Sequence, residues 1–148
     1  MSSSWDESGV LTRLTVDDPD GTSKRVDYSD GLRAKEVVSK NGVLLRRRMW
    51  HATGARAFDY SCRNGKPHGL YTSWHPNGKV RKKGTYENGD RVGTFQGFDA
   101  EGKLQRIWHY QNGDILKIDL YENEKVVAIE HWKDGKAVST ERVDNPTN

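Results

Sequence analysis

Between residues 10 and 143, apolar and polar positions alternate in short runs, and the runs are cut at near-constant intervals by turn-forming pairs. These are Asp30-Gly31, Asn41-Gly42, Thr53-Gly54, Asn64-Gly65, Asn77-Gly78, Asn88-Gly89, Glu101-Gly102, Asn112-Gly113, Asn123-Glu124 and Asp134-Gly135, spaced 11, 12, 11, 13, 11, 13, 11, 11 and 11 residues apart. Asn-Gly and Asp-Gly suit a type I′ turn, which needs φ above zero at both central residues. Asp17-Asp18-Pro19-Asp20-Gly21 supplies an earlier turn, in which Pro fixes φ and Asp-Gly gives the positive φ. No stretch shows a 3.6-residue period, although Leu32 to Lys40, with Ala34-Lys35-Glu36, is helix-tolerant. The pattern predicts about twelve short strands, near 10–17, 22–28, 32–39, 43–51, 56–62, 69–75, 79–87, 92–98, 103–111, 114–122, 125–132 and 136–143. Short connections make sequence neighbours pair antiparallel. The fold class is all-β: a repetitive antiparallel β-meander, an elongated or curled single sheet. The domain runs over 10–143, between a flexible N-terminus (1–9) and a flexible tail (144–148).

The meander is internally repeated. Gly65, Gly69 and Gly78 return as Gly89, Gly93 and Gly102, each 24 positions on, and Tyr71 and Trp74 return as Phe95 and Phe98. A fixed period of this size marks a repeat architecture. Aromatic residues recur just before the turns, at Tyr28, Trp50, Trp74, Tyr86, Phe98, Tyr110, Tyr121 and Trp132, so a ladder across strands is expected. Strict alternation groups Val80, Lys82, Gly84 and Tyr86 on one face, and likewise Leu104, Arg106, Trp108 and Tyr110. The other face is polar in the middle (Lys79, Arg81, Lys83, Thr85). Towards the C-terminus it turns apolar (Leu116, Ile118, Leu120, Val127, Ile129), which predicts burial of both faces there and a possible homodimer through those strands.

Composition refines this reading. Only 33% of residues are apolar, which suits a sheet with a face in water. The net charge is +3, from 24 basic and 21 acidic residues, and by itself gives no argument for nucleic acid. One cysteine, Cys62, excludes an intramolecular disulfide and fits a reducing compartment. The first residues lack the basic and apolar regions of a secretory signal, and no apolar run approaches the roughly 20 residues of a spanning helix. A cytoplasmic protein is expected.

The search for chemistry yields no catalytic, cofactor-binding or metal-ligating set. His51 and His75 are 24 apart, each directly after a Trp, so repetition accounts for them. No His-x-x-x-His or Cys-x-x-Cys spacing occurs. Cys62 holds a slot filled by Tyr in sister repeats and reads as a small core residue. Gly93-Thr94-Phe95-Gln96-Gly97 lies in a strand pattern, with no helix to cradle a phosphate. The chain is expected not to be an enzyme.

Two basic runs stand out, Arg46-Arg47-Arg48 and Arg81-Lys82-Lys83. Solvated charge on an exposed face is the plain reading, but alternation places part of each run beside the aromatics. Arg and Lys next to Trp and Tyr have the composition of a protein-interface anchor. The candidate protein-binding residues are therefore Arg46, Arg47, Arg48, Trp50, Trp74, Arg81, Lys82, Lys83, Arg106 and Trp108. An RNA-binding sheet would share this composition, but the balanced charge makes nucleic acid the weaker expectation.

The stretch 64–79 reads Asn-Gly-Lys-x-x-Gly-x-x-x-x-Trp-x-x-Asn-Gly-Lys. It resembles the variant MORN repeat, and in particular the YwqK-type antitoxin and immunity proteins of bacteria. The resemblance covers about residues 28–138, best at 64–87 and next at 88–111. It implies a hairpin-repeat sheet that docks onto another protein, a cognate toxin or secreted effector, and neutralises it by occlusion. Other MORN proteins are scaffolds linked to acidic lipids, so the alternative expectation is a scaffold on acidic lipid surfaces or in protein complexes.

Overall fold

Seven of the turn pairs, Asp30-Gly31, Asn41-Gly42, Asn64-Gly65, Asn88-Gly89, Asn112-Gly113, Asn123-Glu124 and Asp134-Gly135, have both residues at positive φ, as two-residue type I′ turns require. Those at Gly54, Gly78 and Gly102 are longer, with Gly alone at positive φ. They close through pairs of backbone bonds such as His75 N–H to Lys79 O (2.8 Å) and Gly78 N–H to His75 O (2.9 Å). The structure, a computed structural model, describes residues 1–144, so the expected tail lies outside the described residues from 145 on.

These turns join β1 (Ser2–Trp5), β2 (Leu11–Asp17), β3 (Thr22–Ser29), β4 (Leu32–Lys40), β5 (Val43–Trp50), β6 (Arg56–Arg63), β7 (Lys66–Trp74), β8 (Val80–Glu87), β9 (Asp90–Phe98), β10 (Leu104–Gln111), β11 (Asp114–Glu122), β12 (Lys125–Lys133) and β13 (Lys136–Arg142). All thirteen form one antiparallel sheet in strict chain order, with β1 and β13 at its edges. The helix-tolerant stretch is strand β4. The sequence reading missed β1, whose Ser-rich run carries little strand propensity but pairs with β2 from Ser2 opposite Thr15. At about 4.8 Å per strand the sheet extends roughly 60 Å across its strands. Its 9856 Å² of accessible surface exceeds the roughly 7,600 Å² expected of a compact chain of this mass. Among the described residues no helix is long and apolar enough to cross a membrane.

Alternation within the strands is broken by a regular device. In eight hairpins the residue three places after the turn's last member, Ala34, Leu45, Ala57, Arg81, Gln105, Leu116, Val127 or Val138, has no cross-strand partner. Each such β-bulge shifts the register by one and exchanges the faces beyond it. Ile118 therefore lies opposite Trp108, not on a separate apolar face, and Leu120 lies opposite Arg106. This corrects the expected grouping of Leu116 with Ile118 and Leu120: Ile118 is buried under the aromatic layer while Leu116 is half exposed, and on the other face of the same strand the buried residue is Asp119. Likewise Val80 pairs with Trp74 whereas Lys82 pairs with Ser73, so Val80 and Lys82 do not share a face.

Following direct pairs across the sheet defines two faces. One carries Arg47, Phe58, Tyr60, Tyr71, Lys82, Gly84, Phe95, Gly97, Arg106, Trp108 and Ile118, and is the aromatic face. The other carries Val26, Glu36, Arg48, Asp59, Thr72, Lys83, Gln96, Ile107 and Asp119, and is the ion-pair face. The aromatic ladder centres on Phe95, which is fully buried. Tyr86 and Tyr110 meet its ring edge-on, each 5.4 Å between centroids, and Tyr71 lies 6.3 Å away. Gly84 makes room: a Cβ there would stand 2.4 Å from the Phe95 ring, and one at Gly97 would stand 2.7 Å from Trp108.

Candidate functional site

The middle of the aromatic face is built from two layers. The lower is the ring cluster around Phe95. The upper is cationic. Lys82 Nζ lies 4.0 Å from the Trp108 ring centroid and 5.7 Å from that of Phe95. The Arg91 guanidinium lies 5.8 Å from Phe95 and 5.6 Å from Tyr110, and donates to the hydroxyls of Tyr86 and Tyr110 at 3.2 Å each. Cation–π attraction and the apolar stem hold each cation on the rings. Burial pushes the Lys82 ammonium below the usual lysine range, and the nearby charges of Arg91 and Arg81 push it the same way. Arg81, Lys82, Arg106 and Trp108 share one shallow recess floored by Gly97.

No carboxylate relieves this crowding. At paired positions from β5 to β10 the aromatic face holds no Asp or Glu. Among the described residues no ion pair reaches Arg47, Lys82, Arg91 or Arg106. The carboxylates of that face lie outside this stretch, Asp27 beside Arg13 and Arg25 and Glu130 opposite Ile118, and others stand on the ion-pair face. There Glu36 receives Arg48 at 2.7 Å and Lys24 at 3.2 Å, and Asp59 receives Arg46 through two bonds of 2.9 and 2.6 Å. Asp119 accepts His109 Nε2–H at 2.6 Å and Lys117 Nζ at 3.1 Å. From β5 to β10 the aromatic face is thus cationic without carboxylates of its own, while the other face pairs Arg46 and Arg48 with carboxylates.

The ten sequence-derived candidates do not form one site. Arg81, Lys82, Arg106 and Trp108 come together as described. Arg46 and Arg48 lie on the ion-pair face, spent on Asp59 and Glu36, and Trp74 lies near Arg46 beside the Arg56 guanidinium (5.9 Å). Lys83 points to that same face, 5.5 Å over Phe98. Arg47 stands on the aromatic face opposite Tyr60. Trp50 sits at the end of β5 near His51. The residue missed is Arg91. Its signal was the repeat itself: 24 positions earlier stands Pro67, one of the places where the copies differ.

The histidines serve the frame. His51 Nε2 meets the Trp74 carbonyl and His75 Nε2 the Phe98 carbonyl, each at 2.9 Å, linking successive long turns. His68 Nδ1 accepts the Asn88 N–H at 3.2 Å. Burial pushes the Cys62 thiol up, against the pull of the Arg47 charge, which does not favour a nucleophilic thiolate.

Asp59 and Asp119 give the ion-pair face an acid dependence. Burial pushes both carboxyls up, but hydrogen bonds from Arg46 to Asp59, and from His109 and Lys117 to Asp119, outweigh it and hold both below the usual range. A depressed folded pKa stabilises the fold above the unfolded value, about 3.9, and that stability is lost as pH falls through the folded values. Urea midpoints should fall between about pH 5 and pH 2, and less steeply for Asp59→Asn; an unchanged slope in that variant would remove Asp59 as a contributor.

With this geometry in place, residues 67–88 and 91–112 each match the MORN repeat variant. These two matches cover under a third of the chain. They span β7 to β10 and so include Phe95, Lys82, Arg91, Arg106 and Trp108. No curated protein matches the sequence. Among solved structures the chain is similar to TarM, at 13% identity over 70% of this chain and 20% of that one, with a TM-score of 0.42. It is also similar to an S. aureus TarM mutant in complex with Fondaparinux, alpha-GlcNAc-glycerol and UDP (12%, 71% and 21%, 0.43). A third is the assembly of accessory secretory protein 1, 2 and 3 from Streptococcus pneumoniae (16%, 72% and 20%, 0.40). The chain spans about a fifth of the length of these structures, and likenesses at such scores carry no functional weight.

Proposed function

We propose that this protein is a non-enzymatic binding module that neutralises a cognate bacterial toxin or secreted effector by covering it with the aromatic face. MORN repeats suggest a protein-binding or scaffold role, and the resemblance of 64–87 to antitoxin and immunity proteins favours the first. One observation carries the reading. Lys82 and Arg91 stand over a rigid aromatic layer, with Arg106 beside them on the same face, and among the described residues none of the three has a carboxylate partner. Cations so placed meet an acidic partner at little ordering cost and steer its approach. Their arrangement also favours protein over single-stranded nucleic acid, because Lys82 already lies over the Trp108 ring on which a base would stack.

The test is co-expression with the product of the adjacent reading frame. Growth inhibition relieved by the wild-type chain supports the reading, and no relief overturns it. Lys82→Glu should weaken the purified complex by about tenfold or more, with the association rate falling as salt rises. The cationic face would also suit an acidic lipid surface, which vesicle flotation distinguishes: salt-sensitive binding to anionic vesicles without any protein partner would favour a scaffold.

A further inference from the structure

The two repeats place different side chains at one equivalent spot. In the second copy, Arg91 lies over Phe95 and Tyr110 and bonds the hydroxyls of Tyr86 and Tyr110. In the first copy the matching residue is Pro67, too short to reach across the rings. The space is left as an open recess of about 170 Å³ walled by Tyr60, Tyr71 and Tyr86 with Pro67 at its rim. The rings are braced: Tyr60 and Tyr71 lie 6.4 Å apart, Tyr71 and Tyr86 5.8 Å apart edge-on, and Arg91 pins the Tyr86 hydroxyl.

We propose that this recess seats one aromatic or aliphatic side chain of the partner protein, whose neighbouring carboxylates lie on Lys82 and Arg91. The inference rests on the aromatic face being the docking surface and adds its anchor. The volume is that of a single side chain. Three tyrosine faces would also attract a cation, but Arg91 beside Tyr86, Arg47 opposite Tyr60 and Lys82 opposite Ser73 repel one. A neutral side chain escapes that repulsion, and carboxylates next to it exploit it. A preformed aromatic pocket inside a charged surround is the usual setting of an interface hot spot.

The probe is a fluorescent random copolymer of Glu and Tyr, compared with poly-Glu, oligo(dT) and phosphatidylserine vesicles. The wild-type chain should bind the copolymer about tenfold more tightly than poly-Glu. Tyr60→Ala should abolish that advantage and leave poly-Glu binding unchanged, whereas Lys82→Glu should weaken both. Equal binding of copolymer and poly-Glu overturns the anchor and leaves the docking face standing. No effect of Lys82→Glu on either polymer overturns the docking face itself. Tighter binding of oligo(dT) or vesicles than of the copolymer overturns the assignment to a protein segment. If Tyr60→Ala unfolds, the wild-type ring resonances decide: those of Tyr60 and Tyr71 should shift with the copolymer and not with poly-Glu, and unmoved rings overturn the proposal.

Discussion

Phe95→Ala should cost about 3–5 kcal/mol in urea unfolding, the range for emptying a fully buried aromatic site. Phe95 has no accessible surface and touches Tyr71, Tyr86 and Tyr110, so its removal opens the centre of the layer. The partner mutation makes the test specific. Gly84→Ala adds a methyl group 2.4 Å from the ring and should cost about 1–3 kcal/mol by overpacking. In the Phe95→Ala background the same methyl enters vacated space, so the double variant should be more stable than the sum predicts. Additive costs would show that the two positions do not share that space.

Glu36→Ala should be the next most damaging change. The carboxylate is 2% exposed and holds Arg48 and Lys24. Removing one member of a buried pair strands its partners, at about 3–5 kcal/mol when all are buried. Lys24 is half exposed and Arg48 partly so, which lets water compensate and lowers the expected cost to about 2 kcal/mol. Glu36→Gln, which keeps the shape and loses the charge, should fall between. A midpoint unchanged in Glu36→Ala would mean that water and Asp59, 3.4 Å from Arg48 Nε, suffice for Arg48.

These two residues mark what could and could not be read from the chain. The turns were legible because Asn-Gly chemistry is local, and the 24-residue repeat followed from them. That part of the Arg81-Lys82-Lys83 run shares a face with aromatic rings also followed from alternation, but the contact of Lys82 with Trp108 did not. Side-chain direction past a turn was not legible. The bulge three residues beyond the turn in eight hairpins uses ordinary residues, Leu45 or Val127 as readily as Arg81, and leaves no compositional mark. That is why Ile118 was assigned to the wrong face. Glu36 was hidden for a related reason: in an Ala-Lys-Glu stretch nothing local says that Lys24 and Arg48 will close over it. The charge asymmetry between the faces needs the whole register, because summing the chain cancels it. Arg91 alone was within reach, as the departure from Pro67.

The strand order has a thermodynamic consequence. Every strand pairs only with its predecessor and successor, so the molecule behaves as a one-dimensional chain of interfaces, each with its own coupling strength. Folding can begin at the strongest of them, around Phe95, and spread outward hairpin by hairpin, while the edges melt first. Length is then a free variable. Inserting one more 24-residue copy would add two strands, about 10 Å, without disturbing any existing neighbour, and would move the docking layer relative to the edges by a fixed step.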